Sequence, residues 1–198
     1  MTKTSLLWIS LVMLAAAADP PFRPGPASSY PAKQTNENVT VAAVAYDTEE
    51  LAHSAFGKTN PNQYGVLPVL VVIQNDSGQA LRMSNMQAEY IGPDDRHIAS
   101  TPAADLPYTI GGPKRPNPGG DTPLPIPIKI KHKNPLSDWE FTGREFAVKM
   151  LPVKESANGF FYFQVRPLPG SKLYLTGIVK AADGQGLFYY EIPLEIHH

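Results

Sequence analysis

Short runs in which apolar and polar residues alternate occupy most of the chain, and a period of two is typical of half-buried β-strands. Residues 145–151 follow it, with Phe146, Val148 and Met150 on one face. Residues 66–74 are apolar on both faces, which predicts a central strand that tolerates Pro68 near its start. Further strands are predicted at residues 39–46, 86–90, 96–99, 126–131, 160–165, 172–179 and 187–194.

One helix is predicted after the first strand, at residues 47–57. Asp47 stands at the N-cap position, Glu50 at the reciprocal capping-box position, and Gly57 at the C-terminal end. Residues 134–143 fit either a helical turn or a loop, and the pattern leaves both open. The apolar residues of the predicted helix fall on one stripe that can cover a sheet, and they are Leu51, Ala52, Ala55 and Phe56.

Turn-forming residues separate the strands. Asn75-Asp76-Ser77-Gly78 predicts a hairpin after the central strand, and Pro93-Asp94-Asp95 predicts the next turn. Asp183-Gly184 favours a tight hairpin between the last two strands. Because the strands follow one another without helical crossovers, antiparallel pairing is expected. The predicted fold class is all-β, a two-sheet antiparallel sandwich with one short helix and a long loop.

Three segments depart from the strand pattern. Residues 19–37 are rich in proline and polar residues, which predicts an extended, disordered tether. Residues 101–122 combine many prolines and glycines, which predicts a long Pro/Gly-rich loop that is either a binding surface or disordered. Residues 126–131 alternate isoleucine with proline and lysine, which predicts an edge strand protected against aggregation.

The first 18 residues have the pattern of a secretory signal peptide. Lys3 precedes an apolar stretch, and Ala16-Ala17-Ala18 supplies the small residues that an export peptidase reads. The stretch is too short to cross a membrane as a helix. We therefore expect a signal peptide at 1–18, a tether at 19–37 and one sandwich domain at 38–198. The mature chain is expected in the periplasm or outside the cell, without stable membrane insertion.

Composition narrows the classes of site. A formal net charge of -1 gives no field that would attract nucleic acid. The chain has no cysteine, which excludes a thiol nucleophile and a Cys-ligated metal. Neither a Gly-x-Ser-x-Gly turn nor a His-Glu-x-x-His motif occurs. The sequence therefore predicts no catalytic residues, no metal site and no cofactor.

Four stretches carry a recurring order of features. Residues 69–81 end a core strand in a small-residue turn, and residues 88–96 hold acidic turn residues. Residues 151–163 place a proline-containing turn before a Gly-aromatic strand, and residues 173–175 follow. This order resembles the immunoglobulin-like domains of uncharacterised bacterial exported proteins. The resemblance implies an immunoglobulin-like sandwich and no established activity. The chain departs from the usual pattern at Val153-Lys154, where Pro-Gly is common, and by its long Pro/Gly loop.

Exposed aromatic and basic residues are the candidates for a binding surface. Some belong to the long loop, and the others lie on C-terminal strands, where one solvated face would form a stacking platform for sugar or peptide. Burial under a second layer is the alternative for the tyrosines on strands. The candidates are Tyr108, Lys114, Arg115, Tyr162, Tyr174 and Tyr189.

Three functions remain open from the sequence. The first is a non-catalytic interaction or accessory module of the bacterial cell envelope, with a protein or a glycan as its partner. The second is a secreted hydrolase or carbohydrate-binding protein with its site between the long loop and the tyrosine-bearing strands. The third is a periplasmic copper carrier that uses Met83 and Met86, which otherwise pack in the core.

Overall fold

The computed structural model of the chain describes residues 22–109, 134–137 and 139–197. Antiparallel strands dominate it. Two α-helices are described, α1 (Glu49–Phe56) and α2 (Trp139–Arg144). The strands are β1 (Lys33–Asn36), β2 (Val39–Ala45), β3 (Leu67–Asn75), β4 (Leu81–Arg82), β5 (Gln87–Ile91), β6 (His97–Ala99), β7 (Met150–Leu151), β8 (Ser156–Phe163), β9 (Lys172–Thr176), β10 (Val179–Lys180) and β11 (Tyr190–Pro193).

The strands form three sheets. The first has the order β1-β2-β3-β8, the second β10-β4-β7, and the third β11-β9-β5-β6. Every ladder within them is antiparallel. The predicted all-β antiparallel sandwich is confirmed, with three sheets in place of the predicted two.

Alternation along the strands builds two cores on the two faces of the first sheet. Val69, Val71 and Ile73 of β3 contribute to a core shared with the second and third sheets. Leu70 and Val72 contribute to a second core beneath the helices. The prediction of a central strand that is apolar on both faces is therefore confirmed, because β3 lies between β2 and β8 and between two apolar layers.

The predicted helix forms, but its cap differs. The hydroxyl of Thr48 accepts the hydrogen bond from the backbone N–H of Leu51, at 3.2 Å, and Asp47 does not cap the helix. Asp47 instead accepts a bond from the backbone N–H of His197, 150 positions away, at 2.5 Å. The carboxylate that the local pattern placed at the helix cap therefore binds a residue distant in sequence, His197. Gly57 ends the helix as predicted, at a φ of 62°.

The tether prediction for residues 19–37 is wrong from Phe22 onward. Lys33–Asn36 form β1, whose four residues pair with β2. Ala27, in a short 3-10 helix at Ala27–Ser29, is fully buried. The side chains of this segment are mostly polar, so its order comes from backbone hydrogen bonds and a few anchors that composition does not reveal.

The prediction of a hairpin after β3 is also wrong. The turn at Asn75 leads the chain out of the first sheet, and β4 pairs with β7 and β10 instead of with β3. The predicted turn at residues 93–95 does join a hairpin, between β5 and β6. The last two long strands, β9 and β11, are antiparallel neighbours as predicted.

The predicted strand at residues 145–151 is mostly wrong, because only Met150–Leu151 pair in a ladder. Met150 is exposed, and Leu151 is the buried residue of the two. The open choice at residues 134–143 resolves to a 3-10 helix at Pro135–Ser137 followed by α2.

Several predictions fall outside the described residues: the signal peptide, the edge strand at residues 126–131, and the long loop beyond Thr109. The start of that loop is ordered, with a 3-10 helix at Ala103–Tyr108 whose Leu106 is fully buried. Within the described ranges, no helix is both long enough and apolar enough to span a membrane.

Candidate binding groove

A groove of about 1010 Å³ lies where α1 and α2 meet β8. Both helices turn their apolar sides to the first sheet, and the groove lies between them and residues 158–160 of β8. The volume matches the upper end of ordinary ligand pockets. Aromatic and charged side chains both line the groove, so it can hold a ligand with apolar and polar parts.

Aromatic rings form the apolar part of the groove. Phe22 lies on the ring of Phe160, with centroids 5.4 Å apart, and contacts Tyr46 edge to face at 6.1 Å. Phe22 precedes every ordered element, yet these contacts hold it against the core. The first described residue of the chain is therefore part of the groove wall.

Trp139 opens α2 and is 69% exposed, the largest exposure but one among the large apolar residues described. Its indole lies against Gly143 on the next helical turn, because a Cβ at Gly143 would stand 3.2 Å from the ring carbon Cε3. The missing side chain lets the ring rest on the helix. One indole face is thus supported, and the residue lines the groove as a surface for stacking.

The last residue of α2 is Arg144, which lines the groove. Its Nη1 atom is buried and makes no hydrogen bond with any described group. Its Cζ atom stands 5.0 Å from the centroid of Phe22, a cation–π contact. An unpaired guanidinium in a partly closed groove favours an anionic ligand group, carboxylate above all, because its N–H groups match two oxygens.

Three carboxylates line the same groove, and within the described residues none of them forms an ion pair with Arg144. The Oε1 atom of Glu145 accepts a hydrogen bond from the backbone N–H of Ala103, at 3.0 Å. Glu50, Glu140 and Lys58 also line the groove. The groove therefore presents two cations that form no ion pair with a described residue, Arg144 and Lys58, next to three carboxylates.

The open edge of β8 reaches the groove. Phe160 and Tyr162 accept backbone hydrogen bonds at this edge, from Phe146 at 3.0 Å and from Thr101 at 2.7 Å. Backbone groups of alternate residues in a strand point to the same edge. The N–H and C=O of Asn158, two residues before Phe160, therefore point away from β3 and toward the groove that Asn158 lines.

Tyr162 is wrong as a surface residue. It is fully buried under α2, and its hydroxyl donates to the backbone carbonyl of Phe141 at 2.8 Å. Burial also raises its pKa. Alternation along β8 turns Tyr162 to the same face as Phe160, and the helices that cover this face were the unpredicted layer.

Tyr174 and Tyr189 do come together, on the outer face of the third sheet. Their ring centroids are 5.3 Å apart, and Tyr189 is 51% exposed. His97 meets Tyr174 edge to face at 6.2 Å, and its Nδ1 lies 2.7 Å from Glu89 Oε2. Tyr190, the neighbour of Tyr189, points inward and is fully buried. A small aromatic patch thus lies on the side of the sandwich away from the helices.

Of the three candidates in the predicted long loop, the structure describes only Tyr108. Tyr108 is 39% exposed at the end of its 3-10 helix. Lys114 and Arg115 lie outside the described residues. Tyr108, Tyr174 and Tyr189 do not line the groove beside α2.

Sequence reasoning missed the residues that build the groove. Phe22 lies in the predicted tether, and Trp139 lies in the segment at residues 134–143 that the pattern left open. Arg144 follows that segment directly, and Asn158 precedes the predicted start of β8. The spacing of Trp139 and Gly143 was a usable signal, because a tryptophan four residues before a glycine on a helix can lie flat on its surface.

The methionine pair has a structural role. Met83 is buried in the core shared by the sheets, and Met86 packs against it. No group of three or more His, Asp or Glu side chains in the described part of the chain is placed to hold a metal ion.

Compared with known proteins, the chain matches no family model and no curated protein sequence.

Proposed function

We propose that this chain is an exported, non-catalytic interaction module of the bacterial cell envelope, an immunoglobulin-like sandwich that binds its partner in the groove beside α2. The observation that carries the proposal is the combination of a supported, exposed Trp139 with the unpaired Arg144 in one solvent-open groove. Stacking surface and unpaired charge are the features of a recognition site.

Export rests on the signal pattern of residues 1–18. Cell fractionation with N-terminal sequencing tests it. We expect the chain outside the cytoplasm with Asp19 as its first residue. Cytoplasmic protein that retains Met1 would refute the export.

Capture from an envelope extract tests the binding site. The mature chain is compared with a Trp139→Ala variant and with a Tyr189→Ala variant, which removes an exposed ring from the opposite side of the sandwich. We expect one component to be enriched by the unmodified chain and by Tyr189→Ala, and to fall at least about fivefold with Trp139→Ala. Equal capture by all three chains would contradict the groove as the site.

A glycan-binding surface at the third sheet is a second candidate. The neighbouring rings of half-buried Tyr174 and exposed Tyr189 favour it, because adjacent aromatic rings at a surface offer an apolar face to a sugar ring. Binding of soluble oligosaccharides measured by calorimetry, with loss in Tyr174→Ala and retention in Trp139→Ala, would support it. The reverse pattern would place sugar binding in the groove.

A further inference from the structure

We propose that the groove binds the C-terminal end of a polypeptide, added as a short parallel strand at the edge of β8, with its terminal carboxylate on Arg144. This inference rests on the proposed function and names the ligand class of the same groove.

The free edge of β8 supplies the backbone part of the recognition. Its later residues are already paired, Tyr162 with Thr101 and Phe160 with Glu145. Asn158 comes before them in the strand and faces the groove. An extended peptide adds to such an edge through main-chain hydrogen bonds, which makes the mode independent of most of its sequence.

The direction of the peptide follows from the bridge that the chain itself makes. Glu145 pairs with Phe160 in parallel orientation, and Arg144 directly precedes Glu145. A peptide that runs in the same direction along Asn158 reaches Arg144 with its C-terminal end. An antiparallel peptide would bring its ammonium group to the guanidinium, which the charges oppose.

The charges of the groove select the carboxylate. Arg144 has a buried Nη1 without a partner, and it approaches the groove from the end of α2. Its remaining N–H groups can bind a carboxylate in the fork geometry that guanidinium favours. Glu50 and Glu140 outweigh the charge of Lys58 and disfavour a ligand with several negative charges, such as a phosphate. A single terminal carboxylate meets both conditions.

Trp139 supplies the side-chain part. Its indole rests on Gly143 at the same groove, within the helix that ends at Arg144. A ring or aliphatic side chain near the peptide C-terminus would pack on the indole face. Trp139 is also the only tryptophan after the predicted signal peptide, so its fluorescence reports on the groove directly.

Fluorescence titration of the mature chain tests the proposal. The probes are hexapeptide libraries with a free C-terminal carboxylate, and the same libraries with a C-terminal amide. We expect a saturable change in Trp139 emission with the carboxylate series, and binding at least about tenfold weaker with the amides. Equal binding of both series would overturn the proposal.

Two pairs of variants separate the contacts. Asn158→Pro removes the outward N–H, and an outward-facing edge position tolerates proline, so we expect binding to be lost while the fold, followed by circular dichroism, remains. Asn158→Ala keeps the N–H and should bind within about twofold of the unmodified chain. Arg144→Lys keeps the charge without the fork and should weaken binding about tenfold, whereas Arg166→Lys, exposed after β8, should leave it unchanged. Unchanged binding in Asn158→Pro would overturn the strand addition.

Neutral and acidic oligosaccharides form the third arm. A Trp139 response to these, with none to the peptide libraries, would overturn the peptide assignment and leave the groove as a binding site. Silence toward the peptides would also overturn it, and the capture experiment with Trp139→Ala would then decide separately whether the groove binds any envelope component.

Discussion

Asn75 joins two sheets through a side chain that has no exposed surface. Its Nδ2 lies 2.9, 3.2 and 3.0 Å from the carbonyl oxygens of Gln79, Leu151 and Pro152. Its Oδ1 accepts the backbone N–H and the hydroxyl of Ser77. One amide thus fixes the exit of β3, the turn after it and the end of β7. This contact network explains why the chain leaves the first sheet at Asn75 instead of forming a hairpin.

Asn75→Asp should therefore destabilise the protein strongly. The substitution replaces the donor facing three carbonyls by a charged carboxylate oxygen, and burying that oxygen against three carbonyl oxygens costs at least about 2 kcal/mol. Urea denaturation at neutral pH measures the loss, which should shrink at acid pH, where the introduced carboxyl holds a proton and can donate. The control is Asp76→Asn, an exposed member of an ion pair with Lys154, which should cost less than about 1 kcal/mol. Similar midpoints for both variants would contradict the role of Asn75.

Three buried tyrosines predict alkaline unfolding. Burial raises the pKa of Tyr46 to about 12 and raises the pKa of Tyr162 and Tyr190 as well. In the unfolded chain a tyrosine titrates near pH 10. The folded state holds the proton more tightly, so its stabilising contribution is complete below pH 10 and is lost as pH rises toward 12 and above.

We expect the melting temperature to fall progressively above pH 10, and ultraviolet absorbance to show a class of tyrosines that ionises only on unfolding. Tyr46→Phe should reduce the slope of stability against pH in this range. Ionisation of all tyrosines near pH 10 in a still-folded protein would contradict the burial argument.

At the scale of elements, the sequence predicted those strands whose apolar residues face a core. β2, β3, β5, β8 and β9 all lie within or next to predicted ranges, because one or both of their faces meet an apolar core. β1 was missed because its side chains are polar and half exposed. The asparagine before β2 was a usable signal for a hairpin turn. Glu37 and Asn38 both have positive φ, a region that asparagine tolerates.

Strand edges depended on partners distant in sequence, which no local pattern displays. Gln34 Oε1 accepts the backbone N–H of Glu191, and Asn36 donates to the carbonyl of Tyr189, so side chains of β1 cover the edge of β11. Thr101 and Phe146 cover the later part of β8. The outward position at Asn158 lies in the groove, and the candidate site could be located only once these pairings were known.

The cap of α1 provides a test at this scale. Thr48→Ala removes the hydroxyl that accepts from Leu51 and should cost about 1 kcal/mol. Thr142→Ala on α2 is the control, because its exposed hydroxyl donates to a carbonyl within the helix, and the change should cost less than about 0.5 kcal/mol. Thermal melting compares the two. A larger loss from Thr142→Ala would show that the cap does not set the stability of α1.

At the scale of the whole molecule, both ends of the described chain are fastened to the body. His197 bonds to Asp47, whose side chain is 1% exposed, through its backbone N–H and its ring Nδ1. Phe22 packs on Phe160 and Tyr46, and β1 pairs with β2 along four residues. The two cores share the first sheet, so loosening either end should weaken both layers.

Removal of residues 19–37 tests whether the N-terminal segment belongs to the fold. A disordered tether would be dispensable, but this deletion removes the ladder of β1, the buried Ala27 and the cover of β11. We expect a loss of about 3 kcal/mol or more, which lowers the melting temperature of a domain this size by roughly 6–12 °C. Removal of residues 19–21 alone, which ends before Phe22, is the control and should leave the melting temperature within about 2 °C.

Because Phe22 also forms the groove wall, the longer deletion should abolish peptide-dependent changes in Trp139 emission. A chain that lacks residues 19–37 yet melts and binds normally would show that this segment is only a tether.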